Sequence, residues 1–166
     1  MHDFGTTHAN VTEQIRLIND EVETLCKDLK DTLVIVTADH GLIDAEWKSL
    51  CDYPEIADCL ERVPSIESRA MSVFVKKGRE TEFEKAFNAA FGKNYILLSH
   101  DEALECNLFG DGKPNARFED FVGDYVAIAT GKICINPFAP DEEPFIGMHA
   151  GASEDETFVP FIAIET

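Results

Sequence analysis

The sequence is short of positive charge. Of its 166 residues, 14 are Lys or Arg against 32 Asp or Glu, a formal net charge of −18. Such an acidic surface repels nucleic-acid phosphates and anionic lipid headgroups. Nucleic-acid backbone binding and membrane-surface docking are therefore poor expectations. A phosphate-bearing substrate would need local positive charge, which bound metal ions can supply. Long apolar runs are also lacking. No stretch reaches the roughly 20 residues a membrane-spanning helix needs. Met1-His2-Asp3-Phe4-Gly5 has neither the basic nor the apolar region of a signal peptide. The cysteines, Cys26, Cys51, Cys59, Cys106 and Cys134, are odd in number, widely spaced and without a C-x-x-C. This argues against a disulfide framework and a cysteine-built zinc site, and predicts reduced, mostly buried thiols in a cytoplasmic protein. There are no internal repeats and no low-complexity tract.

What is present suits a globular chain. Hydrophobic residues make up 45% of it, enough for one domain over residues 1–166 with a core of its own. Val11, Ile15, Ile18, Val22, Leu25 and Leu29 recur in alternating steps of four and three. This predicts an amphipathic helix from about Asn10 to Lys30, packed on one side. Asn10 is its expected N-cap, with Glu13 completing a capping box. Leu33 to Ala38 follows as a continuously apolar run, the pattern of a central strand covered on both faces. Helix followed directly by such a strand predicts an α/β sandwich with a largely parallel sheet flanked by helices.

Further along, Pro54 to Arg62 reads as a helix and Arg69 to Val75 as a strand. Glu80 to Phe91 is an amphipathic helix ended by Gly92, and Tyr95 to Leu98 a strand. Ser99 with Glu102 caps a helix reaching about Cys106. Asn107 to Asn115 is a loop, Tyr125 to Thr130 a strand, Ile135 to Pro144 an exposed Pro-rich connection, and Phe158 to Ile164 the last strand.

The residues able to bind a hard or borderline metal are few. Asp39-His40-Gly41 stands at the end of the apolar strand, and open α/β sheets bind ligands just beyond their strands' carboxyl ends. The glycine lets the backbone turn away with no Cβ in the way. The alternative is a surface turn with a capping Asp. His149 lies in Gly147-Met148-His149-Ala150-Gly151, among small residues that allow close approach of a ligand. His2 precedes the long helix.

The order M-H-D-F-G, helix, T-L-V-I-V-T-A-D-H-G, then G-M-H-A-G resembles the alkaline phosphatase superfamily, most closely its type I phosphodiesterase and nucleotide pyrophosphatase branch. His2 and Gly5 match the H-x-x-G end of that family's first motif, P-D-x-x-G-H-x-x-G. The resemblance implies metal-dependent hydrolysis of phosphodiester or pyrophosphate bonds, with two divalent ions, zinc or else manganese. Asp39 and His40 would ligate one ion, His2 and His149 the other. The separation of 109 positions from His40 to His149 leaves room for an inserted module over about 46–146. That spacing looks like the phosphodiesterase and phosphonoacetate hydrolase branch; the cofactor-independent phosphoglycerate mutases, which also carry T-A-D-H-G, place their next histidine sooner.

The same resemblance implies parts this chain does not match. The family's Thr or Ser nucleophile, a further metal-binding Asp and the Asp of Asp-x-x-x-His all fall ahead of Met1. Thr6, Thr7 and Ser153 stand in the wrong places to replace the nucleophile. The expectation is therefore the C-terminal half of a catalytic domain, with no catalytic nucleophile, weak or absent metal binding and little activity alone. A small phosphate ester is the expected substrate, and self-association through an open sheet edge is the expected oligomerisation. A non-catalytic folded remnant acting as an interaction domain is the competing reading. Monoester, phosphonate and sulfate substrates stay open. Asp3, His8 and His100 are expected at the surface, and Asp44 as a turn residue or as support for a ligand.

Overall fold

The computed structural model describes residues 1–137 and 144–166, with Ile66 by its backbone alone. In chain order the elements begin with α1 (Ala9–Asp28), β1 (Leu33–Thr37), β2 (Ile43–Asp44) and β3 (Glu46–Ser49). A 3₁₀ turn (Leu50–Asp52), α2 (Pro54–Ala57), β4 (Ser65–Glu67), β5 (Ala70–Val73), α3 (Glu80–Phe91) and β6 (Tyr95–Ser99) follow. The chain continues through α4 (His100–Glu105), α5 (Glu119–Val122), β7 (Tyr125–Ala129) and β8 (Ile133–Asn136). It closes with β9 (Gly147–Met148), α6 (Glu154–Thr157) and β10 (Phe161–Glu165). These elements form two compact units: Met1–Ala45 with Phe145–His149 and Glu154–Thr166, and Glu46–Pro144 with Ala150–Ser153.

The second unit holds most of the core. Its four-stranded sheet runs β4-β5-β7-β6, antiparallel throughout. Strand β7 is buried on both faces, as its uninterrupted Val126-Ala127-Ile128-Ala129 requires. Ala127 and Ala129 point to a cluster with Phe83, Phe87 and Phe91 of α3, while Val126 and Ile128 point to one with Ala103 and Val122. The i, i+4 spacing of the three phenylalanines sets one buried stripe on α3. Arg69 is fully buried, and its guanidinium donates to the carbonyls of Ile133 and Gly131, both at 2.9 Å. These bonds hold the start of β8, which pairs in parallel with β3.

The first unit has little core of its own. Val11, Ile43 and Met148 are buried, while Ile15, Ile18 and Leu25 of α1 are exposed. The helix expected to pack one apolar side therefore leaves much of that stripe to solvent, with Val22, Cys26 and Leu29 half-buried. Strand β1 pairs antiparallel with β10, Leu33 opposite Glu165 and Thr37 opposite Phe161. Residues facing each other across such a ladder share a face. Leu33 (59% exposed), Ile35 (51%) and Phe161 (72%) thus make a bare apolar platform. The run expected to be covered on both faces is not.

The helix-flanked α/β character matches the sequence reading, whereas the strand direction departs from it. Among the described residues β3 with β8 is the parallel pair, and the other pairings are antiparallel. The links explain part of this. Ser68-Arg69 alone joins β4 to β5, too short for the crossover that a parallel pair needs.

Smaller differences have local causes. Helix α1 is capped by His8, whose Nδ1 accepts from the Asn10 amide at 3.2 Å; Asn10 lies inside the helix. Glu13 turns to Arg16 instead of closing a capping box. Helix α2 stops at Ala57, because Leu60 bridges to Val75 in a β-type pairing. Ile135 is fully buried in β8, not part of an exposed connection, and residues 138–143 of that segment lie outside the described residues. Ser99 and Glu102 do form their reciprocal box at the head of α4. The cysteines are free, and Cys59 and Cys134 are the two that are buried. Burial pushes the Cys59 thiol above its ordinary range, which keeps it protonated and inert. No helix among the described residues is long and apolar enough to cross a membrane.

Candidate metal centre

Three histidines far apart in sequence meet in the first unit. β1 ends at Thr37 and delivers Asp39, His40 and Gly41 in the following turn. The Gly41 amide donates to the Glu156 carbonyl at 2.9 Å. A Cβ at Gly41 would stand 1.9 Å from the Asp155 carbonyl oxygen. The glycine is thus required by close approach of α6. His40 Nδ1 lies 2.8 Å from the Gly41 carbonyl oxygen. A carbonyl can only accept, so Nδ1 donates, and in the neutral form of such an imidazole Nε2 keeps its lone pair for a ligand.

His2 is arranged the same way from another direction. Its Nδ1 donates to the Gly147 carbonyl at 2.6 Å. Its own carbonyl accepts from the Ile146 and Gly147 amides at 2.8 and 3.0 Å. The Phe145 ring lies 5.0 Å away, centroid to centroid. The segment Phe145–His149 therefore holds His2 by backbone, by ring nitrogen and by ring face. The same segment carries His149. That imidazole stacks on His40 at 3.8 Å with an interplanar angle of 18°, and meets His2 edge-on at 5.5 Å. Small residues let the strand come so near: a Cβ at Gly147 would lie 2.5 Å from Leu42 Cδ2 and 2.8 Å from the Met1 carbonyl oxygen.

Asp39 is the outlying member. Its side chain is 88% exposed, with Oδ1 3.7 Å from His40 Nε2. The same oxygen accepts from the His40 amide at 3.1 Å. Among the described residues no group of three or more His, Cys, Asp or Glu side chains converges as a metal site would. The stacking of His40 on His149 explains part of that. An imidazole lone pair lies in the ring plane, so two near-parallel rings cannot both aim at one ion.

The other histidines have work elsewhere. His8 caps α1 and stacks on Phe4 at 4.9 Å. His100, expected to be solvated, belongs to the second unit and is half-buried. Its Nδ1 donates to the Gly123 carbonyl at 2.8 Å, and its amide to the Asp124 carbonyl at 2.9 Å. Asp44 is a residue that sequence reasoning undervalued. Its Oδ1 accepts from the Thr6 amide at 2.6 Å, across 38 residues. No local pattern announces such a contact.

No protein-family model matches the chain, nor does any curated protein sequence. Solved structures do. Murine ectonucleotide pyrophosphatase/phosphodiesterase 5 superimposes with a TM-score of 0.72 at 20% identity, over 99% of this chain and 44% of that one. The fold is theirs in part. The same murine protein in complex with AMP gives 0.67 at 20% identity, covering 98% of this chain and 43% of the other. Phosphonoacetate hydrolase from Sinorhizobium meliloti 1021, in complex with phosphonoformate, gives 0.68 at 17% identity, over 98% and 42%. This chain thus adopts a partial alkaline-phosphatase-like architecture, and it spans less than half the length of the solved chains it matches.

Proposed function

We propose that the chain supplies one side of a two-metal centre for hydrolysis of phosphodiester or pyrophosphate bonds, in a catalytic domain of the alkaline phosphatase superfamily. His40 and Asp39 would hold one divalent ion, His2 and His149 the other, with zinc the expected metal. The observation that carries this reading is the stack of His40 on His149 at 3.8 Å. Rings so nearly parallel suit two ions side by side, and two-metal sites space their ions about 3.5–4 Å apart. The fit is incomplete, since four side chains shared between two ions leave each short of the three or four protein ligands that zinc prefers.

When bound, such ions would polarise a phosphoryl oxygen and activate a nucleophile. This chain's own contribution is to orient the imidazoles of His2 and His40 through carbonyl acceptors and so keep their Nε2 atoms available. Positive charge would also enter a chain of net charge −18 where a phosphate must bind. Phosphate esters are the substrate class this supports, in keeping with the AMP held by a structure of the same fold.

Zinc calorimetry on the purified chain tests the reading. Binding should be measurable but far weaker than the 10–16 kcal/mol of a complete structural zinc site. His149→Ala, which removes the imidazole touching both others, should weaken it at least ~10-fold. Two tightly held zinc ions would contradict the ligand shortage. No binding at millimolar zinc would favour the non-catalytic interaction domain instead.

A further inference from the structure

We infer that Asp44 is a positioning residue for His2, acting through the turn that carries it; its purpose rests on the metal reading above. The turn is closed by the Gly5 amide donating to the Met1 carbonyl at 2.9 Å, with His2 inside it. Gly5 leaves the turn at φ 79°, the left-handed region that glycine enters without strain. That geometry presents the next amide, Thr6, to Asp44 Oδ1 at 2.6 Å. A Cβ at Gly5 would sit 3.0 and 3.1 Å from the two Asp44 carboxylate oxygens and 3.1 Å from Ile146 Cγ2. The carboxylate therefore occupies the space that the glycine leaves.

Asp44 is also tied to the other end of the assembly. In the β2–β9 ladder it stands opposite Gly147, whose carbonyl accepts from His2 Nδ1. Next to it, the Ala45 amide donates to the Ile146 carbonyl at 2.9 Å. One residue thus joins the end of the His2 turn to the strand holding the His2 ring. The strand sets which nitrogen is protonated, and Asp44 keeps the turn against it. Without the carboxylate the turn is free to lift, and His2 Nε2 loses its fixed relation to His149. His40 is untouched by this, because its acceptor is the neighbouring Gly41 carbonyl.

The test uses the full, metal-free chain with ¹⁵N-labelled histidine at pH 8. His2 should show a protonated Nδ1 and an unprotonated Nε2. Asp44→Ala should move both shifts toward the averaged values of a freely exchanging imidazole. Asp44→Asn, whose amide oxygen can still accept from Thr6, should keep the native pattern, and His40 should stay native in both variants. An unchanged His2 in Asp44→Ala overturns the proposal. So does loss of the pattern in Asp44→Asn, which stays decisive even if the alanine variant does not fold. An equal shift of His40 would mean general loosening and overturns it as well. With zinc added, Asp44→Ala should bind ~10-fold more weakly and Asp44→Asn within about threefold. If the unmodified chain binds no zinc, the metal reading fails while the spectra still decide the role of Asp44.

Discussion

Phe87→Ala should lower the stability of the second unit by ~3–5 kcal/mol, the usual cost of emptying a fully buried phenylalanine site. Phe87 is 1% exposed and sits at the centre of an aromatic ladder. Phe83 lies 5.6 Å from it, Phe91 5.4 Å, and Tyr95 5.9 Å in an edge-on arrangement. The three phenylalanines share one helix, so its backbone cannot collapse into the space without dragging its neighbours. Whole domains are stable by only ~5–15 kcal/mol, which makes this loss a large share of the total. Trp47, the sole tryptophan, lies in β3 of the same unit and reports the transition by fluorescence. Phe121→Ala provides the contrast. That ring is 56% exposed, and its loss should shift the urea midpoint far less. Equal shifts for the two variants would contradict the placement of the core.

Gly41→Ala should damage the histidine cluster. The Cβ would meet backbone atoms at 1.9, 2.8 and 3.0 Å, belonging to Asp155 and Glu156. Backbone cannot swing aside as a side-chain tip can, so either α6 or the turn must shift. Overpacking of this kind costs ~1–3 kcal/mol and sometimes more. The shift would also break the Gly41 amide bond to the Glu156 carbonyl and move the carbonyl that orients His40. Zinc affinity should therefore fall by at least ~10-fold. Calorimetry showing native affinity in Gly41→Ala would mean that this turn does not position a ligand.

The parts of the fold that could be read from sequence are those governed by local chemistry. Helix α3 begins and ends where Glu80 and Gly92 put it, because Phe83, Phe87 and Phe91 set its buried face. The Ser99–Glu102 box needs only four residues, and it forms. The cap of α1 was less legible, since an imidazole acceptor at His8 replaces the usual hydroxyl or carboxyl group. Both burial and direction of pairing were misread in β1, whose apolar run leaves Leu33 and Ile35 exposed and pairs antiparallel with β10.

The candidate site divides similarly. Asp39-His40-Gly41 showed itself by its place after a strand. The approach of His149 to both His40 and His2 depends on chain return over more than a hundred residues, so the ordered motifs could suggest it but not supply its geometry. Asp44 was named as a turn residue or as support for a ligand, but its contact with Thr6 escaped because the partner is a backbone amide with no sequence signature.

The most direct measurement is zinc titration of the ¹⁵N-histidine-labelled chain, following its five imidazoles separately. Signals of His2, His40 and His149 should move together as zinc is added. His8, which caps α1, and His100, bonded to Gly123, should stay where they are. Zinc that shifts His8 or His100 while leaving the other three in place would contradict the metal centre proposed for this chain.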